Sequence, residues 1–380
     1  MISPVIWLPA ILSAAAAAYQ LIALLATIRH FRGERNAEVA YSPPVSILKP
    51  MHGSEPRLYE ALRSQAVQEY PEFEMVFGIR SLDDPCVADI ERLRCEFPDL
   101  KLRLVNCGGK APNGKVAALA DMAREARYSV MLVNDADITV PAGYLRDVVA
   151  PLADPGIGIV TCLYRATADH LPGRWEGLGI VTDFAPSTLV APFVGVSEFG
   201  LGSTIAFRRD DLRAIGGFEA LGDYIADDYQ LGARIHRLGR RNVISRVVVD
   251  THLDASSWKE VWRHQLRWAR TIRLSRGAYA GLFITQATFW ACVDAAFGRW
   301  WMALALLALR LTMAMTAGWW GMRSPDVLRL WPLIPLRDLW GTGVWMAGLF
   351  GRRVHWRNQV LTLDSQGRIL ETRNNRPHRD

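Results

Sequence analysis

The chain has 380 residues, 50% of them hydrophobic, with a formal net charge of +6 and a pI near 9.2. Its length admits one large domain or two ordinary ones. The excess of base does not point to nucleic acid, because Lys and Arg form no long stripe interleaved with aromatics; several border apolar runs, and an anionic membrane face suits them better.

In chain order, residues 5–28 carry no charge and are long enough to cross a bilayer core of about 30 Å as a helix. A secretory signal is the competing reading, with residues 14–18 as the cleavage region. No basic segment precedes the apolar run, however, and Arg29, His30, Arg32 and Arg35 follow it. Residues 1–32 are therefore expected to be an uncleaved anchor that leaves the following chain in the cytoplasm. Cys86, Cys95, Cys107, Cys162 and Cys292 are odd in number, scattered and never spaced C-x-x-C. They fit a reducing compartment and imply neither zinc nor a disulfide.

A polar linker at 33–44 precedes a run of alternating elements. Residues 45–48, 74–79, 102–105 and 128–133 read as strands, and 58–67 and 87–95 as helices. Such alternation predicts a largely parallel sheet covered on both faces, within an α/β domain at 33–257. Two acid clusters follow strands: Leu82-Asp83-Asp84-Pro85 after 74–79, and Asn134-Asp135-Ala136-Asp137 after 131–133. Ligands of open α/β sheets bind beyond the carboxyl ends of strands, so these acids are expected to share a crevice. Two carboxylates so spaced also occur in ordinary turns. Mg²⁺ or Mn²⁺, however, prefers one or two carboxylates with phosphate oxygens and water, a partial shell that Asp135 and Asp137 would supply.

Residues 108–115 lie between a strand and a helix at 116–126, with glycines that permit close approach to a phosphate and Lys115 adding a charge. The string lacks the spacing and terminal hydroxyl of a P-loop. Residues 195–218 are glycine-rich and suit either a bend around a sugar or a loop with a buried Phe. A third acid cluster, Ala226-Asp227-Asp228-Tyr229, heads an amphipathic helix to 235. An acid there serves the helix dipole, worth about 0.3–1 kcal/mol, or takes a proton in catalysis.

Residues 258–272 interleave Trp258, Trp262 and Trp268 with Arg263, Arg267, Arg270 and Arg273, as an interfacial helix would over 258–280. Residues 282–297 and 300–322 read as a membrane hairpin within 281–323. Its charges, Asp294 and Arg310, are expected to pair with each other or with backbone carbonyls. Pro332, Pro335, Arg337 and Asp338 make 328–350 resemble interfacial or re-entrant helices more than a clean span. Arg352, Arg353 and Arg357 then suggest a cytoplasmic tail, and three spans fit that topology.

Taken together, VSILKPMHGSEPRLYEALRSQAVQEYPEFEMVFGIRSLDDP, APNGKVAALADMAREARYSVMLVNDADI, GSTIAFRRDDLRAIGGFEALGDYIADDYQLGARI and HQLRWARTIR resemble the ceramide glucosyltransferase family over residues 44–273. Bacterial hopanoid glycosyltransferases resemble it too. The resemblance implies a GT-A fold, a nucleotide-sugar donor, a lipid alcohol acceptor and inversion at the anomeric carbon. It places Asp83 and Asp84 near a uridine and makes Asp135 the second acid motif, with Asp137 completing a Mg²⁺ or Mn²⁺ site. It also assigns Lys115 and Asp227 to the donor and Asp228 to general-base catalysis. Arg267 and Trp268 match the end of a Q/R-x-x-R-W motif that assists catalysis. His264 stands at that motif's first position, on the donor side, where the family has Gln or Arg; imidazole still donates a hydrogen bond, but its charge follows pH.

The resulting expectation is a multi-pass enzyme of a bacterial inner membrane, its catalytic domain cytoplasmic, passing glucose from UDP-glucose to the primary hydroxyl of ceramide. The bacterial assignment rests on the compact, Ala- and Arg-rich chain. A hopanoid glycosyltransferase using UDP-N-acetylglucosamine is the alternative. An inactive lipid-binding or scaffold protein would keep the membrane segments without needing three acid clusters, and three spans hardly build the channel of a processive synthase.

Overall fold

The structure, a computed structural model, describes residues 4–33, 41–275, 277, 279–356 and 359–374. Arg35, Arg357 and the end of the tail lie outside the described residues. Helix α1 (Pro4–Arg32) leads in. Then β1 (Val45–Pro50), α2 (Leu58–Ala66), β2 (Phe73–Ile79), α3 (Cys86–Glu96), β3 (Lys101–Asn106), α4 (Gly114–Glu125) and β4 (Val130–Val133) alternate as expected. β1, β2 and β4 are buried almost throughout, as strands covered on both faces must be.

After α5 (Tyr144–Val149) come β5 (Ile157–Thr167), α6 (Leu171–Gly179), α7 (Ala185–Phe193), β6 (Ile205–Arg208), α8 (Arg209–Ala214), α9 (Asp227–Arg237) and β7 (Arg241–His252). The sheet runs β3-β2-β1-β4-β6-β5-β7. Only β6 is antiparallel to its neighbours. Leu62, Ile90 and Tyr144 fill the core on one face; Leu119, Met122, Phe207 and Ile235 fill it on the other. The strand order changes direction between β1 and β4, and a crevice opens at such a switch point.

Helix α9 presses close to the loop before β6, and Gly232 is what allows it. A Cβ there would sit 2.4 Å from the Phe199 carbonyl carbon and 2.5 Å from the Gly200 nitrogen. Asn242 secures the approach, its Nδ2 donating to the carbonyls of Phe199 (3.2 Å) and Gly232 (3.0 Å).

The remaining helices are α10 (Trp258–Ser275), α11 (Ala287–Ala296), α12 (Trp300–Met315), α13 (Pro325–Leu330) and α14 (Ile334–Gly348). Among the described residues, Trp7–Arg32 and Trp300–Gly321 are long and apolar enough to cross a membrane. Helix α11 has 10 residues, a rise of about 15 Å, so the first arm of the expected hairpin is short. Asp294 and Arg310 do not pair with each other. Arg310 grips Asp338 through two nitrogens, at 2.9 and 2.7 Å, and donates to the Thr182 carbonyl at 3.0 Å. Asp294 faces Arg299 at 2.8 Å. The tryptophans of α10 pack on protein: Trp258 against Trp175 and Trp340, Trp262 against Trp340.

Past α14 the tail folds into a three-stranded antiparallel sheet, β8 (Arg353–Trp356), β9 (Gln359–Leu363) and β10 (Ile369–Asn374), that sequence reading did not anticipate. Val354, Leu361 and Leu363 pack with Ile225 and Leu274, so the tail reaches back to the approach to α9.

Replacing Gly232 with Ala drives a methyl into backbone that cannot retreat. We expect Gly232→Ala to destabilise the protein by about 1–3 kcal/mol, read as a lowered denaturation midpoint in detergent. An unchanged midpoint would show that the contact yields freely.

Candidate active site

The crevice is built at the β1/β4 switch point. Lys49, fully buried near the end of β1, donates to Asn134 Oδ1 and to the Asp135 carbonyl, both at 3.1 Å. Burial pushes its ammonium down to about 7, against the pull of Asp137, Asp135 and Glu55. The turn carrying the second acid cluster is thereby pinned to the neighbouring strand through its backbone and Asn134, which leaves the Asp135 and Asp137 carboxylates free of Lys49.

Lys115 projects from the first turn of α4, whose N-cap, Asn113, accepts from the backbone nitrogens of Lys115 and Val116. Its Nζ lies 2.6 Å from Asp135 Oδ1 and 3.6 Å from Asp227 Oδ2. Burial opposes its charge, but Asp135 and Asp227 prevail and hold the ammonium well above its ordinary value. Asp228 accepts from the Gly202 nitrogen at 3.0 Å and the Tyr229 nitrogen at 2.7 Å. Burial, followed by the Asp227 charge, pushes its carboxyl up to about 6. Gly202 sits amid the group: a Cβ there would lie 3.3 Å from Asp135 Oδ2, 3.4 Å from Asp228 Oδ2 and 3.7 Å from Lys115 Nζ. The backbone thus leaves open the space where the second and third acid clusters meet.

Asp137 takes a hydrogen bond from the Thr251 hydroxyl at the end of β7. Burial and then the Asp135 charge raise its pKa. Asp135 and Asp137 accordingly form a pair of oxygen-donor carboxylates whose mutual repulsion a cation would relieve. That donor set fits a hard divalent ion such as Mg²⁺ or Mn²⁺. Among the described residues no cluster of three or more His, Cys, Asp or Glu is arranged to hold a metal. The two acids would supply only part of such an ion's shell, and phosphate and water would have to complete it.

Helix α10 closes the other side. His264 Nδ1 lies 2.5 Å from Oε1 of Glu176, a fully buried acid of α6. Arg267 is buried between this pair and the crevice. Burial lowers its pKa, while Glu176, Asp135 and Asp228 act on it in the opposite sense. Trp268 turns toward apolar packing, its ring 4.4 Å from His264 and 6.4 Å from Phe184.

The first acid cluster stands apart. Asp84 accepts from the Gly53 nitrogen at 2.8 Å and the Cys86 nitrogen at 3.1 Å, and pairs with His52 at 3.3 Å. Burial acts against its charge, but hydrogen bonds from Cys86 and Gly53 prevail and hold its pKa below the ordinary value. Asp84 ties the loop after β1 to the start of α3, and Asp83 is exposed. The same edge of the sheet carries a cavity of about 570 Å³ lined by Arg80 and residues 107–112, the glycine-rich string ahead of α4.

The structure thus gathers Lys115, Asp135, Asp137, Asp227 and Asp228, with the Arg267 charge acting on Asp135 and Asp228; His264 is held by Glu176, and Asp84 has partners of its own. Beyond the residues expected from sequence, the site draws on Lys49, Thr251 and Glu176, and on Asn113 and Gly202 within the glycine-containing segments 108–115 and 195–218. A lone lysine in the buried run Val45-Ser-Ile-Leu-Lys49 was a usable signal, as was a lone acid in Trp175-Glu176-Gly177-Leu178. Thr251 offered none.

A switch-point crevice with acids at strand ends and an α10 arginine beside it defines a GT-A glycosyltransferase. The chain belongs to glycosyl transferase family 21, whose sequence profile matches residues 6–369. It is 27% identical over 206 residues to ceramide glucosyltransferase 1 of Caenorhabditis elegans, covering 53% of this chain and 44% of the relative. Ceramide glucosyltransferase 3 of that organism is 24% identical over 348 residues, covering 86% of this chain and 74% of the relative. A beta-monoglucosyldiacylglycerol synthase of Synechocystis sp. is 31% identical over 158 residues, covering 40% of this chain and 31% of the relative. The first of these relatives is thus matched over less than half its length, the second over about three quarters. Among solved structures, a mannosyltransferase of Pyrobaculum calidifontis in complex with GDP-Man and Mn²⁺ shares the fold at a TM-score of 0.55 and 22% identity, over 90% of this chain and 96% of that one.

Lys49 holds the Asp135 turn without facing the open crevice. We expect Lys49→Met, which keeps the volume and removes both hydrogen bonds, to weaken Mn²⁺-dependent binding of a nucleoside diphosphate about 10- to 100-fold. Calorimetric titration reads this directly; unchanged affinity would make Lys49 dispensable to the turn.

Proposed function

We propose that the protein is an inverting hexosyltransferase that passes glucose from UDP-glucose to the primary hydroxyl of ceramide or a similar lipid. The observation that carries this reading is the Asp228 carboxylate, raised in pKa and fixed by two backbone nitrogens, facing Asp135 and Lys115 across Gly202. The names of the relatives support a lipid acceptor. Two helices able to cross a membrane support an enzyme working at its surface, here assigned to the cytoplasmic face of a bacterial inner membrane. The expected division into an anchor at 1–32, a catalytic domain at 33–257, an interfacial helix at 258–280, a membrane hairpin at 281–323, and interfacial or re-entrant helices with a cytoplasmic tail at 324–380 remains part of this proposal.

In the proposed reaction Asp228 takes the proton of the acceptor hydroxyl as its oxygen bonds to the anomeric carbon. The bond from that carbon to the donor's diphosphate breaks on the opposite face, and the electron pair leaves with UDP. Asp135 and Asp137 would hold the divalent ion, which when bound neutralises charge on the departing diphosphate. Lys115 holds Asp135 in place, and Arg267 lends a positive charge to the same region. His264, clasped by Glu176, fixes the α10 side of the crevice.

Asp228→Asn keeps the shape but removes the proton acceptor. Transfer is expected to fall by about 10² to 10⁴ with donor binding preserved; should Asp227→Asn show that behaviour instead, the neighbouring acids exchange roles. Because the Asp228 carboxyl is pushed up to about 6, it is protonated, and unable to accept, below that pH. kcat/KM should therefore fall roughly tenfold per pH unit on the acid side. A profile flat from pH 7 down to 4 would contradict the assignment. The acceptor is decided by mass spectrometry of lipids from a host expressing the chain and supplied with ceramide, diacylglycerol and hopanoid precursors. A hexosylated hopanoid with no hexosylceramide would replace ceramide as acceptor.

A further inference from the structure

A second cavity, of about 380 Å³, lies outside the crevice, between α9, the end of α10 and the turn joining β9 to β10. Arg234 and Arg237 enter it from α9 and Arg273 from α10, with Ser275 and Ser365 also lining it. Among the described residues, no Asp or Glu lines the cavity. Among the described residues, no carboxylate pairs with any of these three arginines. Arg234 rests over the Tyr224 ring, 5.5 Å from its centroid, and Arg273 donates to the Gly351 carbonyl. Those contacts leave Nε of Arg234 and Nε of Arg273 shut away from water with no acceptor.

Three like charges around one cavity repel one another. One kind of guest lifts that repulsion. A phosphate group brings opposite charge and several acceptor oxygens, in the geometry that the guanidinium fork matches best. The surroundings suit a phosphate borne on a lipid. Arg270 and Arg273 hold the carbonyls of Phe350, Gly351 and Arg353 at the exit of α14, and Phe350 there is 72% exposed. We propose that this three-arginine cavity is a non-catalytic binding site for a phosphate group, such as an anionic lipid headgroup presents.

The site does not depend on the proposed transfer reaction, and its test reads binding alone. The full chain in neutral detergent is titrated with inorganic phosphate, with a short-chain phosphatidylglycerol and with the matching phosphatidylcholine, followed by calorimetry and unfolding temperature. Phosphatidylglycerol is expected to bind and to raise the unfolding temperature. Arg237→Gln, at an exposed position, should weaken that binding at least tenfold, whereas Arg213→Gln, an equal change in charge on α8, should not. Arg234→Gln with Arg273→Gln should abolish it where that double variant folds. Binding of inorganic phosphate with the same dependence on Arg237 supports the site and assigns a soluble source. Failure of inorganic phosphate and phosphatidylglycerol to bind, binding of phosphatidylcholine as tight as that of phosphatidylglycerol, or equal losses for Arg237→Gln and Arg213→Gln, overturns it.

Discussion

A buried ammonium governs the geometry of the crevice. Lys49 lies in the interior of the sheet where its charge is unfavourable, and it is tolerated because Asn134 Oδ1 and the Asp135 carbonyl receive it. An ammonium withdrawn from water must find acceptors, so the turn after β4 cannot drift from β1. Once that turn is fixed, Asp135 can meet Lys115, and Asp137 can meet Thr251. Within reach of Lys49 and Lys115 stand Asp135, Asp137, Asp227 and Asp228, an excess of negative charge. Burial together with this excess raises the pKa of Asp137 and Asp228. A site in that condition gains from a divalent cation, and it also provides a carboxylate basic enough to take a proton.

The third acid cluster is held by another route. The loop before α9 is clamped on one side by Asn113, whose Nδ2 donates to the Tyr224 carbonyl at 2.8 Å. On the other side the tail grips it, through Ile225 nitrogen to the Gly367 carbonyl at 3.2 Å and Ile369 nitrogen to the Asp223 carbonyl at 2.7 Å. One asparagine therefore caps the helix that delivers Lys115 and steadies the loop that delivers Asp227 and Asp228. The far end of the chain completes the clamp, which gives a function to a segment whose sequence reads as an unremarkable tail.

What sequence reveals here follows from where each signal resides. β1, β2 and β4 are mainly apolar because both faces are covered, and an acid pair follows β2 and β4 within a few residues. The ordered set of motifs added the roles of Asp228 and Arg267, which local physics alone assigns as readily to a helix dipole or a surface charge. Thr251 becomes a site residue only when distant segments meet, and nothing local marks it; Glu176 shows locally only as a lone acid in an apolar stretch. β8 to β10 are 4, 5 and 6 residues long, too short for alternation to stand out from loop. Past residue 280 the candidate span Trp300–Gly321 and the contact of Arg310 with a backbone carbonyl agree with expectation, and only the acid that Arg310 meets does not. Arg310 interrupts an apolar run as an unpaired charge would, and its partner, Asp338, lies 28 positions away in another helix.

That long-range pairing also determines how the crevice meets the apolar helices. Arg310 of α12 reaches the Thr182 carbonyl, and Arg337 of α14 pairs with Asp183 at 3.1 Å. Both contacts fall in residues 180–184, the wide helical turn joining α6 to α7. Helix α6 carries Glu176, which holds His264, three residues before Arg267 on α10. The wall of the crevice opposite the acids is therefore suspended from the apolar helices and only then applied to the sheet. A buried ion pair broken on one side leaves its partner charge unsatisfied, at a cost of about 3–5 kcal/mol. Loss of Asp338 should accordingly disturb the His264 side of the crevice more than the Asp135 side, because Lys49 fixes the Asp135 turn within the sheet itself.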